Sequence, residues 1–186
     1  MLKYGRANKN IAVTVLLAIV LTLVAAACGT DSGGSGGGSS IPRVIVGDRT
    51  YAIDDLTAAG AKTVKEYDVD DLPGATAVWK TVFNRLDYEA RFYATHEDAV
   101  AMGTSYAVSV TGDDAIVTGD DVAWEEGARD RRKCSRAAQT PHSSCSYSAR
   151  YLEYVIRGNM ILFCEGDDTA DAFASCENLL NLMDPA

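Results

Sequence analysis

The sequence DYEARFYATHED, residues 87–98, is the most regular stretch of the chain, and it decides the predicted fold. Its first part alternates between two sets of side chains. Tyr88, Ala90 and Phe92 form one set, and Glu89, Arg91 and Tyr93 form the other. This period of two is typical of a half-exposed β-strand. Thr95 and the acidic Asp98 then have the spacing of a helix N-cap, so the stretch predicts a strand that leads directly into a capped helix.

The neighbouring segments continue this pattern on both sides. The helix that opens at Thr95 is expected to end before Gly112, because glycine commonly terminates helices. Upstream, apolar residues in the segment 75–86 recur at the spacing of one helical face, and Pro73 suits the first turn. This segment therefore predicts a second helix, although its β-branched residues leave a strand as the alternative.

The N-terminal part of the domain predicts shorter elements. Segments 43–46 and 50–53 are rich in β-formers and flank Gly-Asp at 47–48, which is typical of a tight hairpin. A short helix is expected over residues 56–59 because acidic residues precede it and a glycine follows it. Weak alternation over residues 62–67 predicts another strand.

The C-terminal part predicts a hairpin and a last helix. Segments 147–156 and 160–164 are expected to pair over the Arg-Gly-Asn turn at 157–159. The second arm, MILFC, is apolar on both faces, so it predicts a central strand. Asp167 or Asp168 is then expected to cap the final helix.

These elements together predict an α+β fold. Residues 41–186 have the size of one domain, and their strands come from several parts of the chain. We expect a single domain with a mostly antiparallel sheet, helices packed on one face and disulfide bonds.

The folded part contains four cysteines, an even number that in an exported chain predicts two disulfides. Three pairings are possible. Short loop closure favours Cys134 with Cys145 and Cys164 with Cys176. A zinc site that uses some of these cysteines with His142 is the alternative, but no C-x-x-C pair is present.

The N-terminus carries the features of a bacterial export signal. Basic residues and no acidic ones precede the apolar segment 11–24, which is too short for a spanning helix. Alanines 25–27 then stand before Cys28. This Ala-Ala-Ala-Cys sequence resembles the lipobox of bacterial lipoproteins, which implies that residues 1–27 are a signal peptide and that Cys28 is lipidated. An ordinary secretory signal or an uncleaved anchor is the alternative.

Residues 28–40 are rich in glycine and serine and are expected to act as a flexible tether with a reach of roughly 15 to 20 Å. The predicted location is the extracytoplasmic side of a membrane in the bacterial cell envelope. The membrane itself, through the lipid on Cys28, is the first predicted partner.

The mature protein is strongly acidic. Without residues 1–27 the chain has 14 basic and 26 acidic residues, a formal net charge of −12. Binding to nucleic acid requires clustered Lys and Arg over a wide face, so nucleic acid is not an expected partner.

Acidic loops are the candidates for a metal site. Asp68, Asp70 and Asp71 precede a glycine and could supply oxygen ligands to calcium. The EF-hand pattern fails, however, because Pro73 and Trp79 occupy the positions of its conserved Gly and Glu. Turns and helix caps use the same residues, so no metal and no cofactor is expected.

One dense basic run stands out in the mature protein. It comprises Arg129, Arg131, Arg132, Lys133 and Arg136. Near a membrane these side chains could contact anionic head groups, and arginines could also hold an anionic ligand. Because acidic residues lie immediately upstream, charge compensation within a solvated loop is the competing interpretation.

No catalytic residue is assigned. His96 lies beside Glu97 and Asp98, but a helix start explains these residues, and the motifs of common hydrolases, metalloproteases and nucleotide-binding enzymes are missing. The prediction is a binding or interaction module, an accessory, sensor or envelope protein, with a membrane-associated protein as possible partner. A small envelope hydrolase and a structural envelope lipoprotein are the alternatives. A hydrolase should show a concave pocket where His96 or His142 meets a carboxylate.

Overall fold

The computed structural model describes residues 41–133 and 148–184. Within these ranges, one six-stranded sheet forms the centre of the domain. Its strands are β1 (Val44–Ile45), β2 (Lys62–Tyr67), β3 (Ala75–Phe83), β4 (Leu86–Tyr93), β5 (Tyr151–Arg157) and β6 (Met160–Glu165). They lie in the order β1-β5-β6-β4-β3-β2, and only the β1–β5 pair is parallel. The predicted α+β class and the mostly antiparallel sheet are therefore confirmed.

Helical segments lie between β1 and β2, after β4 and after β6. They are α1 (Ile53–Ala58), the turn α2 (His96–Asp98), a π-helical turn (Ala99–Gly103), α3 (Thr104–Val110) and α4 (Thr169–Met183). The predicted cap at Thr95 is confirmed, because its side chain accepts a hydrogen bond from the Asp98 N–H at 3.1 Å. Asp168 caps α4 in the same way. Of the helices in these ranges, none combines the length and the hydropathy that a membrane span requires.

Helices pack on both faces of the sheet, whereas the sequence predicted one face. α1 and α4 cover the face that carries Tyr88, Ala90 and Phe92. The helical segment 96–110 covers the opposite face, where it packs against Tyr93. The difference arises because β4 and β6 are buried on both sides, so each face of the sheet needs a covering layer.

The predicted helix over residues 75–86 is wrong, and the alternative is correct. This segment forms β3 and the start of β4, joined by a tight turn at Asn84 and Arg85, whose φ angles are 49° and 69°. Two consecutive positive φ angles are typical of a hairpin turn that matches the twist of the strands. The β-branched residues of the segment favour the extended form, and pairing with both β2 and β4 stabilises it.

The predicted N-terminal hairpin is also wrong. β1 has two residues and pairs in parallel with β5, where the Ile156 N–H donates to the Arg43 carbonyl at 2.8 Å. β1 thus pairs with β5 instead of with segment 50–53, which was its expected partner. The chain instead enters α1 at Ile53, and the Asp55 carboxylate accepts a hydrogen bond from the Ala52 N–H at 2.8 Å.

The hairpin and one disulfide predicted for the C-terminal part of the chain are confirmed. β5 and β6 form the expected hairpin, and β6 is fully buried except at its last residue. The predicted disulfide between Cys164 and Cys176 is present and links β6 to α4. Cys28 and the other predicted pair, Cys134 and Cys145, lie outside the described residues.

Candidate functional site

Three charged side chains lie in the interior, between the sheet and the segment 111–133. Glu89 and Arg91 are two residues apart on β4, so both project from the same face of the sheet. Arg131 reaches the same place from the covering segment. Their exposed fractions are 0%, 0% and 1%, respectively. These three residues are called the interior charge cluster below.

One carboxylate joins the two arginines. The Nε–H of Arg91 donates to Oε1 of Glu89 at 2.7 Å, and the Nε–H of Arg131 donates to Oε2 at 2.9 Å. Arg131 also donates from Nη1 to the Trp124 carbonyl at 3.2 Å. Because two guanidinium groups share one carboxylate, the cluster has a formal charge of +1.

Aromatic rings enclose the two guanidinium groups. The Arg91 group lies 4.3 Å from the ring centre of Phe163 and 5.1 Å from that of Trp124. The Arg131 group lies 4.2 Å from the Trp124 ring and 5.9 Å from that of Tyr67. Cations are attracted to aromatic faces at these distances, and the attraction is stronger where water is excluded.

Several polar atoms around the cluster have no hydrogen-bond partner among the described residues, although all of them are buried. They are Nη1 and Nη2 of Arg91, Nη2 of Arg131, Nε1 of Trp124 and the hydroxyl groups of Tyr93 and Tyr151. A buried polar group without a partner costs about 1 to 3 kcal/mol, and a charged one costs more. Native interiors normally avoid such groups, so their concentration around one cluster needs an explanation.

The covering segment 111–133 is fastened at several points. The Ile116 N–H donates to the Ser109 carbonyl at 2.8 Å, and the Arg132 Nε–H donates to the Val117 carbonyl at 2.8 Å. A β-bridge between Arg132 and Ala149 holds its far end. Trp124 and Arg131 therefore project inward from a segment that is attached near both of its ends but contains no helix or longer strand.

Close packing explains Gly127 in this segment. Its φ angle is +73°, and a Cβ atom there would lie 2.8 Å from a ring carbon of Tyr67. Only glycine fits both the backbone conformation and the space. The Tyr67 hydroxyl donates to Asp130 at 3.0 Å, which holds the ring against the segment.

The electrostatics of the cluster follow from burial and from its charges. Burial raises the pKa of Glu89, but Arg131 and Arg91 together outweigh this effect, so the pKa lies below its ordinary value. Burial lowers the pKa of Arg91, and Glu89 opposes this effect. Burial also raises the pKa of Tyr93 and Tyr151, so both side chains remain phenols near neutral pH.

The lowered pKa of Glu89 predicts a pH dependence of stability. The contribution of this carboxylate should be complete above its ordinary pKa of 4.5 and should disappear as the pH falls through the lower pKa of the folded state. The stability advantage of wild type over Glu89→Gln should therefore be constant above the ordinary pKa of 4.5 and should shrink as the pH falls below it. Denaturant unfolding of both proteins at several pH values measures this, and a pH-independent difference would contradict it.

The predicted basic run does not form one surface. Arg131 points into the interior, Arg132 bonds to a carbonyl oxygen, and Arg129 is exposed. The backbone N–H of Lys133 donates to the Ser148 carbonyl at 2.9 Å. Arg136 lies outside the described residues.

His96 lines a shallow groove of about 220 Å³ together with the loop 46–50 and Glu97. Two carboxylates, those of Asp48 and Glu97, belong to this lining. The Nδ1–H of His96 donates to the Gly158 carbonyl at 2.9 Å, so a backbone oxygen rather than a carboxylate orients the ring. The other predicted histidine, His142, lies outside the described residues.

The calcium candidates form a turn. Asp68 accepts a hydrogen bond from the Asp70 N–H at 2.9 Å, and Asp68, Asp70 and Asp71 are exposed. In residues 41–133 and 148–184, no three His, Cys, Asp or Glu side chains are grouped as metal ligands would be.

The interior charge cluster was missed at the sequence level. Alternation along β4 placed Glu89 and Arg91 on a half-exposed face, whereas the structure buries both. The sequence did contain one indication of the cluster. Trp124 and Arg131 occur in the long segment 111–133, which has no helical or strand periodicity. Such a segment can only bury Trp124 by folding over another element.

Comparisons with known proteins give one match. The model of a family described as a family of unknown function, DUF6810, matches residues 52–185. No curated protein and no solved structure matches the chain.

Proposed function

The chain belongs to DUF6810, a family of unknown function, and on that premise we propose that it is a lipid-anchored, extracytoplasmic binding module of a bacterial cell envelope. The observation that supports binding is the interior charge cluster, several of whose donors have no acceptor in the part of the chain that the structure describes. The proposed site is formed by β4 and by the inward side chains Trp124 and Arg131.

A purely structural role fits the cluster less well. A buried ion pair stabilises a fold only when its charges balance and its remaining donors are satisfied. Here two arginines share Glu89, and three of their Nη atoms have no acceptor among the described residues. A bound anion that supplies acceptors would balance the excess positive charge and would also accept hydrogen bonds from these donors.

The location of this module rests on the N-terminal sequence. The apolar segment 11–24, the Ala-Ala-Ala-Cys sequence and the Gly/Ser tether support export, lipidation and attachment. The disulfide between Cys164 and Cys176 also suits an oxidising compartment. A tethered domain could present its ligand to a membrane-associated partner protein within about 20 Å of the lipid.

Replacing Cys28 with Ser is expected to release the protein from the membrane, because the serine hydroxyl cannot carry the thioether-linked lipid. Fractionation of cells should move the variant from the membrane pellet to the soluble or secreted fraction, and labelling with radioactive palmitate should disappear. Equal palmitate labelling of wild type and Cys28→Ser would contradict lipidation at this residue.

A test for binding uses the wild-type chain extracted from its native envelope in mild detergent. Acid unfolding of the washed protein should release a small molecule in near-stoichiometric amount, detected by mass spectrometry. Arg91→Lys should retain much less, because lysine lacks the planar pair of donors. Arg150→Lys is the matched control, since Arg150 is already paired with Asp87 at 2.8 Å. Equal retention by the two variants would place any bound ligand elsewhere.

A small envelope hydrolase is the second candidate, supported by the groove that His96, Asp48 and Glu97 line together. In that case His96→Gln should abolish activity against a panel of chromogenic ester, amide and phosphate substrates. Wild-type activity no higher than that of His96→Gln would exclude this function for the groove.

A further inference from the structure

The ligand class follows from the charge and shape of the interior charge cluster. We propose that the cluster binds a small organic monocarboxylate, held by the free edge of the Arg91 guanidinium group. This inference rests on the proposed function and specifies the ligand of the same site.

Charge balance favours a monovalent anion. The cluster has a formal charge of +1, from Arg91 and Arg131 against Glu89. The neighbouring buried carboxylate Asp87 is already paired, with Lys80 at 3.2 Å and with Arg150 at 2.8 Å. A monoanion would neutralise the cluster, whereas a dianion would leave an excess negative charge in a dry interior, which is costly.

The geometry of Arg91 favours a planar anion. Its Nε is occupied by Glu89, but Nη1 and Nη2 have no acceptor in the described part of the chain. These two atoms form the end of the guanidinium fork, which matches the two oxygens of a carboxylate. A spherical halide can accept from the same edge but cannot use both donors in this paired geometry.

Further donors are available for the remaining lone pairs. A carboxylate can accept about four hydrogen bonds. Four further buried donors lie on the same side of the sheet and have no partner within residues 41–133 and 148–184. They are Nη2 of Arg131, Nε1 of Trp124 and the hydroxyl groups of Tyr93 and Tyr151. Because burial raises the pKa of both phenols, they donate rather than repel an anion.

The surroundings favour an organic ligand without a positive charge. The rings of Trp124, Phe163 and Tyr67 lie against the guanidinium groups, so the surroundings of the cluster are aromatic and apolar. A free amino acid fits poorly, because its ammonium group would lie close to Arg91 and Arg131. An alkyl or aryl monocarboxylate has the required single negative charge, and its apolar group suits the aromatic surroundings.

Entry requires the covering segment to move. The donor atoms have almost no accessible surface, and two of the donor residues, Trp124 and Arg131, belong to the segment 111–133 itself. Binding should therefore be slower than diffusion, as in other sites that close over their ligands.

The test measures binding of benzoate and acetate to the full mature chain in detergent, after removal of small molecules by extensive dialysis. At constant ionic strength, both anions should raise the unfolding temperature, and benzoate should bind more tightly because its ring contacts the aromatic walls. Chloride and the neutral analogue benzamide should give no comparable shift.

Variants separate the site from a general salt effect. Arg91→Lys should weaken benzoate binding at least tenfold. Tyr93→Phe and Tyr151→Phe should weaken benzoate binding several-fold. Because these two variants conserve the packing of the interior, they provide the test if Arg91→Lys fails to fold. Tyr88→Phe is the matched control, because that hydroxyl faces the opposite side and bonds to the Ser175 carbonyl.

Two results would overturn the inference. One is an equal shift with chloride and benzoate, and the other is equal benzoate affinity of Tyr88→Phe and the Tyr93→Phe and Tyr151→Phe variants. A neutral or cationic molecule released from the native protein in an Arg91-dependent way would refute the carboxylate class but leave the binding function intact. No released molecule together with no benzoate binding would refute both.

Discussion

Replacing Glu89 with Gln is expected to destabilise the domain by about 3 to 5 kcal/mol, which is typical when one partner of a buried ion pair is removed. The variant keeps the shape of the side chain but leaves Arg91 and Arg131 without a counter-charge in the interior. The glutamine amide also replaces one of the two acceptor oxygens with a donor, so one of the two arginines loses its acceptor. Denaturant unfolding, followed by the fluorescence of Trp79 and Trp124, would measure the loss.

The matched control is Glu66→Gln. Glu66 is exposed on β2, so this variant should differ from wild type by less than about 0.5 kcal/mol. A double variant, Glu89→Gln with Arg131→Met, should recover part of the loss, because it removes one of the uncompensated charges. Equal effects of Glu89→Gln and Glu66→Gln would contradict the burial of the Glu89 carboxylate between two arginines.

Removing the disulfide between Cys164 and Cys176 is expected to cost about 2 to 4 kcal/mol. The bond closes a sequence separation of 12 residues and links a central strand to the last helix, and both cysteines are fully buried. Replacing both residues with alanine removes the crosslink and some packing. The expected result is a lower denaturant midpoint for the double variant in unfolding experiments under oxidising conditions.

Reduction of wild type provides the comparison for this variant. A reductant should lower the stability of wild type by at least a similar amount. Any further loss when the double variant is reduced would measure the predicted second pair, Cys134 and Cys145. A double variant as stable as oxidised wild type would contradict a stabilising role for this bond.

Sequence patterns correctly predicted the strands and caps whose formation depends on residues that are close together in the sequence. The strand at residues 87–94 and the cap at Thr95 are correct because alternation and N-capping involve neighbouring residues only. The helix predicted for residues 75–86 is wrong because the apolar spacing of this segment suits a helix as well as a strand. Pairing with β2 and β4, which comes from distant residues, resolved the ambiguity in favour of a strand.

The interior charge cluster could not be predicted because it also depends on contacts between residues that are distant in the sequence. Arg131 lies 42 residues after Glu89 in the chain, and the contact exists only because an irregular segment folds over the sheet. Alternation correctly placed Glu89 and Arg91 on one side of β4. It could not indicate that this side would be covered, since the covering residues carry no period.

The most direct test of the proposed site observes the Nη hydrogens of Arg91 by NMR in the isotopically labelled mature chain. On addition of benzoate at constant ionic strength, these resonances should shift strongly downfield and their exchange with solvent should slow. The resonances of Arg43, which is exposed at the surface, should not change. Unchanged Arg91 resonances at high benzoate concentration, or equal shifts for Arg91 and Arg43, would contradict carboxylate binding at the interior charge cluster.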